Sequence, residues 1–171
     1  MKIPKRNDLR RIYQTEPVPA ALRGPSLERT AHHEAGHIVL MKWGGLAPTS
    51  ATATERQGLA TWAPDPEPVD LDALDYDEPL AAAQCAAIFH AGIVAELIFS
   101  GHPWRGIVYR ERSQDWKSAN MLLAPHLGNG LAGHGFAQRT ALAVLTDRWT
   151  DVQRIATYLI EHGTWTPENT E

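Results

Sequence analysis

The chain has 171 residues, a formal net charge of −4 at pH 7 and one cysteine, with 43% hydrophobic and 21% charged residues. At roughly 150 residues per domain, this length predicts one globular domain, and the negative charge argues against a nucleic-acid-binding surface. The apolar runs are far shorter than the roughly 20 residues of a membrane span, and no apolar segment follows the basic N-terminus as in a secretory signal. A single cysteine cannot form an internal disulfide, so we expect a soluble protein of the reducing cytoplasm.

Residues 1–25 are predicted to form a flexible basic arm ahead of a domain spanning residues 26–171. Any helix longer than about ten residues in this arm is interrupted by proline, at Pro17, Pro19 and Pro25. Its basic residues could contact an acidic partner or a membrane surface, but a solvated tail is the simpler interpretation.

The first long helix is predicted to run from Ser26 to about Lys42. Ser26 can cap the free amides of the first turn, where Glu28 adds a favourable negative charge. Gly44 and Gly45 end the helix, because glycine accepts the left-handed conformation that follows a helix.

Residues 49–63 are rich in threonine and small residues that alternate in part, which predicts two short strands joined near Gln57 and Gly58. The next segment, residues 65–78, is strongly acidic and contains prolines, so it cannot bury itself. We interpret it either as a solvated loop or as a mobile flap beside a cleft.

A long apolar helix is predicted from Pro79 to Phe99, closed by Gly101. Because this helix is apolar nearly all round, we place it in the core together with its His90 and Cys85.

Three further features complete the predicted fold. Ser113 can cap a helix that is broken near Pro125, and the glycines between residues 128 and 135 indicate a flexible loop. Helical periodicity returns from Phe136 to His162, as one or two amphipathic helices. The sequence therefore predicts a mainly α fold with a small β hairpin or sheet beside the first helix.

The informative segment is an H-E-x-x-H pattern inside the first predicted helix, in which His33 and His37 flank Glu34. Histidines four residues apart lie one turn above each other, so both imidazoles can reach one zinc ion. Glu34 is placed to accept a proton from a water held by that ion, which predicts hydrolysis of an amide bond. The alternative is two surface histidines on an amphipathic helix.

The sequence also allows a prediction for two residues next to or inside this pattern, His32 and Gly36. His32 points about 100° away from His33 and is interpreted as a bystander. Gly36 costs the helix about 1 kcal/mol relative to alanine, which indicates that another element packs closely there.

A catalytic zinc requires a third protein ligand and an open fourth position. The residue types alone leave six candidates downstream, namely Glu96, Asp115, His90, His102, His126 and His134.

The sequence resembles the zinc protease domain of the membrane-anchored AAA+ proteases of the FtsH type, from about residue 30 to the C-terminus. The matching segments are HHEAGHIVL (32–40), ATATERQGLAT (51–61), AGIVAELIFSG (91–101), SQDWKSANML (113–122) and DRWTDVQRIATYLIEHGTWTPE (147–168).

The resemblance implies a role for three parts of the chain. Asp115 would be the third zinc ligand, although an acid at a helix start is also stabilised by the helix dipole. Glu96 would orient a ligand imidazole. An extended peptide would pair with the strand Gly58, Leu59, Ala60 and Thr61 and be bound with broad specificity, the alternative being a purely structural hairpin.

The chain also departs from the family. It contains no G-x-x-x-x-G-K segment for an unfolding motor and no membrane span. Ile93 stands in place of the usual arginine, Leu97 in place of a second glutamate, and Asn120 in place of a threonine.

These observations predict a cytoplasmic, zinc-dependent metalloendopeptidase that does not itself use ATP. Its substrates would be peptides or unfolded proteins, and it would act as a homo-oligomer or as a subunit with a separate ATPase partner. The alternatives are a non-catalytic zinc-containing binding module, which would not need Glu34, and a helical domain without metal.

Overall fold

The computed structural model of the protein describes residues 2–63, 77–110 and 112–170. These residues form five α-helices, which are α1 Leu27–Trp43, α2 Glu78–Phe99, α3 Gln114–Leu127, α4 Leu131–Asp147 and α5 Trp149–His162. Short strands accompany them, which are β1 Thr15–Glu16, β2 Pro48–Ala53, β3 Gly58–Trp62, β4 Ile107–Val108 and β5 Thr164–Trp165. The predicted mainly α architecture with small sheets is confirmed, whereas residues 65–76 of the acidic segment lie outside the described residues.

Helix α1 begins and ends where the sequence predicts. The Ser26 hydroxyl accepts a hydrogen bond from the Arg29 amide at 3.2 Å, and Gly44 follows the last turn. Strands β2 and β3 form the predicted antiparallel hairpin, and β5 adds to the other side of β2, in the order β3-β2-β5. Because the sheet packs against α1, its edge strand β3 lies beside the helix that carries the histidine pair.

Helix α2 occupies the centre of the protein, in contact with α1, α3 and α4. It approaches α1 closely at Gly36, where a methyl group would lie 2.8 Å from Ala95 Cβ and 2.9 Å from the Ala91 carbonyl oxygen. The predicted close packing at this glycine is therefore confirmed.

The two polar residues of α2 that we assigned to the core differ. His90 is buried, whereas Cys85 is exposed, which corrects the prediction that it is a core residue. Its neighbours Ala86 and Ala87 occupy the buried face at that level of the helix, so the cysteine side chain is left on the outside.

Among the described residues, α2 is the one helix long and apolar enough for a membrane span by length and composition. The protein itself buries 67% of the apolar window that meets this test. An apolar helix that is mostly buried is typical of a protein core.

The N-terminal residues are packed on the domain, which corrects the prediction of a flexible arm. Leu9 and Leu22 are buried in the core, and β1 pairs in parallel with β4, with Thr15 opposite Ile107. Arg139 of α4 also donates a hydrogen bond to the Tyr13 hydroxyl at 2.9 Å. Isolated leucines among basic residues give no periodic signal in the sequence. Their burial nevertheless stabilises the packing of the N-terminal segment on the domain.

The predicted glycine loop after α3 is largely helical, because α4 already begins at Leu131. A methyl group on Gly133 would lie 3.0 Å from the Leu123 side chain, and one on Gly135 would overlap the Tyr13 ring. These glycines therefore serve close packing between elements rather than chain flexibility. Proline at position 125 is accommodated within the last turns of α3.

Candidate metal centre

The structure brings the three predicted ligands together from two helices. His33 and His37 lie on consecutive turns of α1, and Asp115 lies in the first turn of α3. The Asp115 Oδ2 atom is 3.2 Å from His33 Nε2 and 3.7 Å from His37 Nε2. One donor atom from each of the three residues lies within 4.8 Å of the others, so the group could hold a metal ion.

The donor set fits a zinc ion. Ligand atoms about 2.0–2.2 Å from a tetrahedral zinc lie roughly 3.3–3.6 Å apart, close to the two distances above. The second ring nitrogen of each histidine is also engaged, since His33 Nδ1 lies 2.7 Å from Glu96 Oε1 and His37 Nδ1 donates to the Ile88 carbonyl oxygen at 2.7 Å. Metal-binding imidazoles usually have such a partner, which fixes the ring orientation.

Two glycines leave the space that the site needs. A methyl group on Gly92 of α2 would lie 2.5 Å from His33 Cδ2 and would overlap Nε2 and Cε1 as well. On Gly58 of β3, it would lie 2.6 Å from Glu34 Cγ. From the sequence, Gly58 was predicted only as part of the hairpin and its substrate strand, and Gly92 was not predicted, although a glycine inside a helix is the signal that indicated close packing at Gly36.

Charges in the site are strongly coupled. Burial disfavours the imidazolium of His33, but its hydrogen bonds to Asp115 and Glu96 outweigh this effect and raise the pKa of His33 to about 10. Burial likewise opposes ionisation of Asp115, yet the two imidazoles hold its pKa well below the usual range. Burial raises the pKa of Glu34, against the opposite influence of His37 and His33. Without a metal, the site therefore favours a proton in the position where a cation would bind.

Glu96 lies where a partner that orients His33 would have to be. It is 4% exposed, and its carboxylate accepts two hydrogen bonds from Arg110, at 2.8 and 3.0 Å. Burial opposes the charge of Glu96, but contacts with His33 and Arg110 lower its pKa and keep it ionised. Arg110 could not be predicted from the sequence, because it lies in an irregular stretch and contacts Glu96 only in the folded chain.

Two residues of the predicted substrate strand, Gly58 and Leu59, line the cleft in front of the site. This cleft has a volume of about 1300 Å³, and its lining also includes residues of the N-terminal segment between 18 and 25, residues 55–57 ahead of β3, and His33 and Glu34. Among the described residues, β3 pairs with β2 alone, and Leu59 on β3 is 61% exposed. Within the described part of the chain, the second edge of the strand Gly58, Leu59, Ala60 and Thr61 therefore has no paired strand beside it.

A second, smaller cavity of about 200 Å³ adjoins the three metal-binding candidates and Glu34. Apolar side chains form much of its wall, including Met41, Leu59, Trp62, Ile88 and Phe89.

The remaining histidines lie outside this group. His90 Nε2 is 2.9 Å from His134 Nδ1 in the core, and burial lowers the pKa of His90 to about 3 and that of His134 to about 4. His126 is 3.5 Å from Glu78, and His102 is not part of the cluster that could hold a metal. His32 stacks on another residue, Phe99, at 4.0 Å between ring centroids, as expected of a bystander.

No model of a known protein family matches the chain. A search of curated proteins gives no match either. The resemblance to the FtsH-type protease domain thus remains a prediction based on the motifs.

Proposed function

We propose that the protein is a zinc-dependent metallopeptidase related to the FtsH-type protease domain. The observation that carries this proposal is the meeting of His33, His37 and Asp115 at one point, beside the buried carboxylate of Glu34. Two imidazoles and one carboxylate would hold the ion and leave a fourth position for water or substrate. When bound, zinc would act as a Lewis acid that polarises the substrate carbonyl and makes a water acidic near neutral pH.

Glu34 acts as the general base in this proposal. It is 5% exposed and points toward Gly58 at the start of β3, so it lies between the histidine pair and the substrate strand. Its carboxylate accepts the proton of the attacking water and passes it to the amide nitrogen that leaves. The two histidine ligands and the residue that moves the proton therefore come from α1, and the third ligand, Asp115, comes from α3.

The substrate is an extended segment of peptide or unfolded protein. Its backbone would pair with the edge of β3 opposite β2, which satisfies backbone hydrogen bonds without reading most side chains. A folded protein cannot offer such a strand, so this domain cleaves free peptides, unstructured termini or segments that a separate ATPase delivers. We place this activity in the cytoplasm, with either that ATPase or further copies of the chain as partners.

The experiment compares the parent protein with Glu34→Gln in zinc content and in cleavage of denatured casein. We expect about one zinc ion per chain in both proteins, because Glu34 is not a ligand, and a loss of roughly 100-fold or more in cleavage for the variant. Glu28→Gln is the matched control, since Glu28 is an exposed glutamate of the same helix, and it should cleave as the parent does.

Two outcomes would contradict the proposal. If the parent protein holds no zinc, the metal centre is wrong. If it holds zinc but cleaves nothing, the alternative of a non-catalytic zinc-containing binding module is correct.

A further inference from the structure

Both oxygens of the Glu96 carboxylate are used in the fold. Oε1 contacts His33 Nδ1 at 2.7 Å and accepts from Arg110 Nη1 at 2.8 Å. Oε2 accepts from Arg110 Nη2 at 3.0 Å, and Arg29 Nε lies 3.5 Å away. Arg110 thus binds both oxygens of the carboxylate whose Oε1 atom contacts His33.

Arg110 and Arg29 also hold the N-terminal segment that forms one wall of the cleft. Arg110 Nη2 donates to the Leu22 carbonyl oxygen at 3.2 Å. Arg29 donates to the carbonyl oxygens of Ala21, at 3.0 Å, and Gly24. These bonds attach the carbonyl groups of Ala21, Leu22 and Gly24 to the two arginines beside Glu96.

The backbone of Arg110 is linked to the third candidate ligand. Its carbonyl oxygen accepts hydrogen bonds from the amide and the hydroxyl of Ser113, both at 2.9 Å. Ser113 in turn caps α3 by accepting from the Trp116 amide at 3.2 Å, which fixes the first turn where Asp115 lies. One residue therefore connects the surroundings of His33 with those of Asp115.

We propose that Arg110 is a positioning residue of the metal centre, which holds Glu96 against His33 and joins the N-terminal segment to the site. This inference rests on the proposed zinc-binding function. A buried carboxylate needs compensating donors, and a bidentate guanidinium supplies two charge-assisted hydrogen bonds in a fixed geometry. Without Arg110, the arginine that remains beside Glu96 is Arg29, on the Oε2 side, so the carboxylate moves away from His33 and the ring loses its orientation.

The test measures zinc affinity by competition with a chelating dye, in the full-length parent, Arg110→Met and Arg110→Lys. Loss of a group that orients a ligand typically weakens metal binding by roughly 10–100-fold, and we expect this range for Arg110→Met. Lysine keeps the charge but cannot occupy both carboxylate oxygens, so Arg110→Lys should recover part of the affinity. The absorption spectrum of the Co²⁺-loaded protein should change in Arg110→Met and return toward the parent spectrum in Arg110→Lys.

Arg139→Met is the matched control. Arg139 also holds the N-terminal segment, through the Tyr13 hydroxyl at 2.9 Å, but it is not among the residues that contact Glu96 in the described structure. Its zinc affinity and Co²⁺ spectrum should equal those of the parent.

Either of two results would overturn the inference while the parent still binds zinc and cleaves casein. One is parent-like affinity in Arg110→Met, or in Arg110→Lys if the methionine variant does not fold. The other is an equal loss in Arg139→Met, which would assign the effect to packing of the segment. A parent protein without zinc would instead overturn the proposed function itself.

Discussion

Gly92 offers a sharp test of the site. Adding one methyl group there should displace the His33 ring, although none of the three proposed ligands is itself substituted. The methyl carbon of Gly92→Ala would lie 2.5 Å from His33 Cδ2 and would overlap Nε2 and Cε1 too. Carbon atoms normally approach to about 3.5–4.0 Å, so the ring must move by about 1 Å. Zinc–ligand distances tolerate only about 0.2 Å, so the displaced ring can no longer reach the ion.

The expected loss of zinc affinity is at least the roughly 100-fold that marks the upper end for changes outside the ligand set. Overpacking itself costs about 1–3 kcal/mol of unfolding free energy, which alanine offsets by about 1 kcal/mol through its higher helix propensity. The protein should therefore remain folded. Zinc affinity is measured by dye competition and folding by circular dichroism and urea denaturation.

Gly130→Ala is the control, because a methyl group there would meet nothing within 4 Å and the backbone φ is −80°. It should bind zinc as the parent does. Parent-like zinc affinity in Gly92→Ala would refute the reasoning, since it would mean that His33 does not bind the ion in the position described.

Three further predictions concern the base, the core and the response to pH. In Gly58→Ala, the methyl group would lie 2.6 Å from Glu34 Cγ. Displacing the Glu34 carboxylate by about 1 Å should lower kcat roughly 100-fold and leave the zinc content unchanged. Loss of zinc in this variant would contradict the prediction. Trp165 is fully buried, so Trp165→Ala should reduce the free energy of unfolding, measured by urea denaturation, by about 3–5 kcal/mol. Trp62 is 40% exposed, so Trp62→Ala should cost less. Equal losses in the two variants would show that burial does not determine the loss of stability. Burial lowers the pKa of His134 to about 4, so below about pH 6.5 the unfolded chain binds a proton that the folded chain does not. Stability should thus fall by about 2 kcal/mol from pH 7 to pH 5 through this residue, and His134→Gln should show a shallower dependence; the same slope in both proteins would be the contrary result.

Local signals in the sequence predicted those elements whose causes are themselves local. Ser26 caps α1 and Ser113 caps α3, as their positions before the predicted helices indicate. The hairpin and the buried α2 follow equally from residue pattern. The same holds for His33 and His37, because one turn of a helix is enough to place both imidazoles on one side.

Contacts between distant parts of the chain could not be predicted in this way. The two-residue strands β1 and β4 are too short to show periodicity in the sequence, and they pair although they lie far apart along the chain. Gly133 and Gly135 resemble loop residues in sequence, whereas their actual role depends on Leu123 and Tyr13. The roles of Arg110 and Gly92 likewise depend on distant residues, because Arg110 contacts Glu96 and Gly92 contacts His33 only in the folded chain.

Asp115 lies between these two cases. Its residue type left it as one of six candidates, and only the family resemblance favoured it over the others. Its distance to the histidines depends on the packing of α3 against α2, and no local sequence pattern predicts that packing.

The most direct test of the central claim is an anomalous difference map, measured at the zinc absorption edge from crystals of the full-length protein grown with zinc. We expect one strong peak in contact with His33 Nε2, His37 Nε2 and an Asp115 carboxylate oxygen, with the fourth position free of protein ligands. A peak elsewhere, or a map without a peak at this site, would contradict the assignment of these residues as a zinc centre.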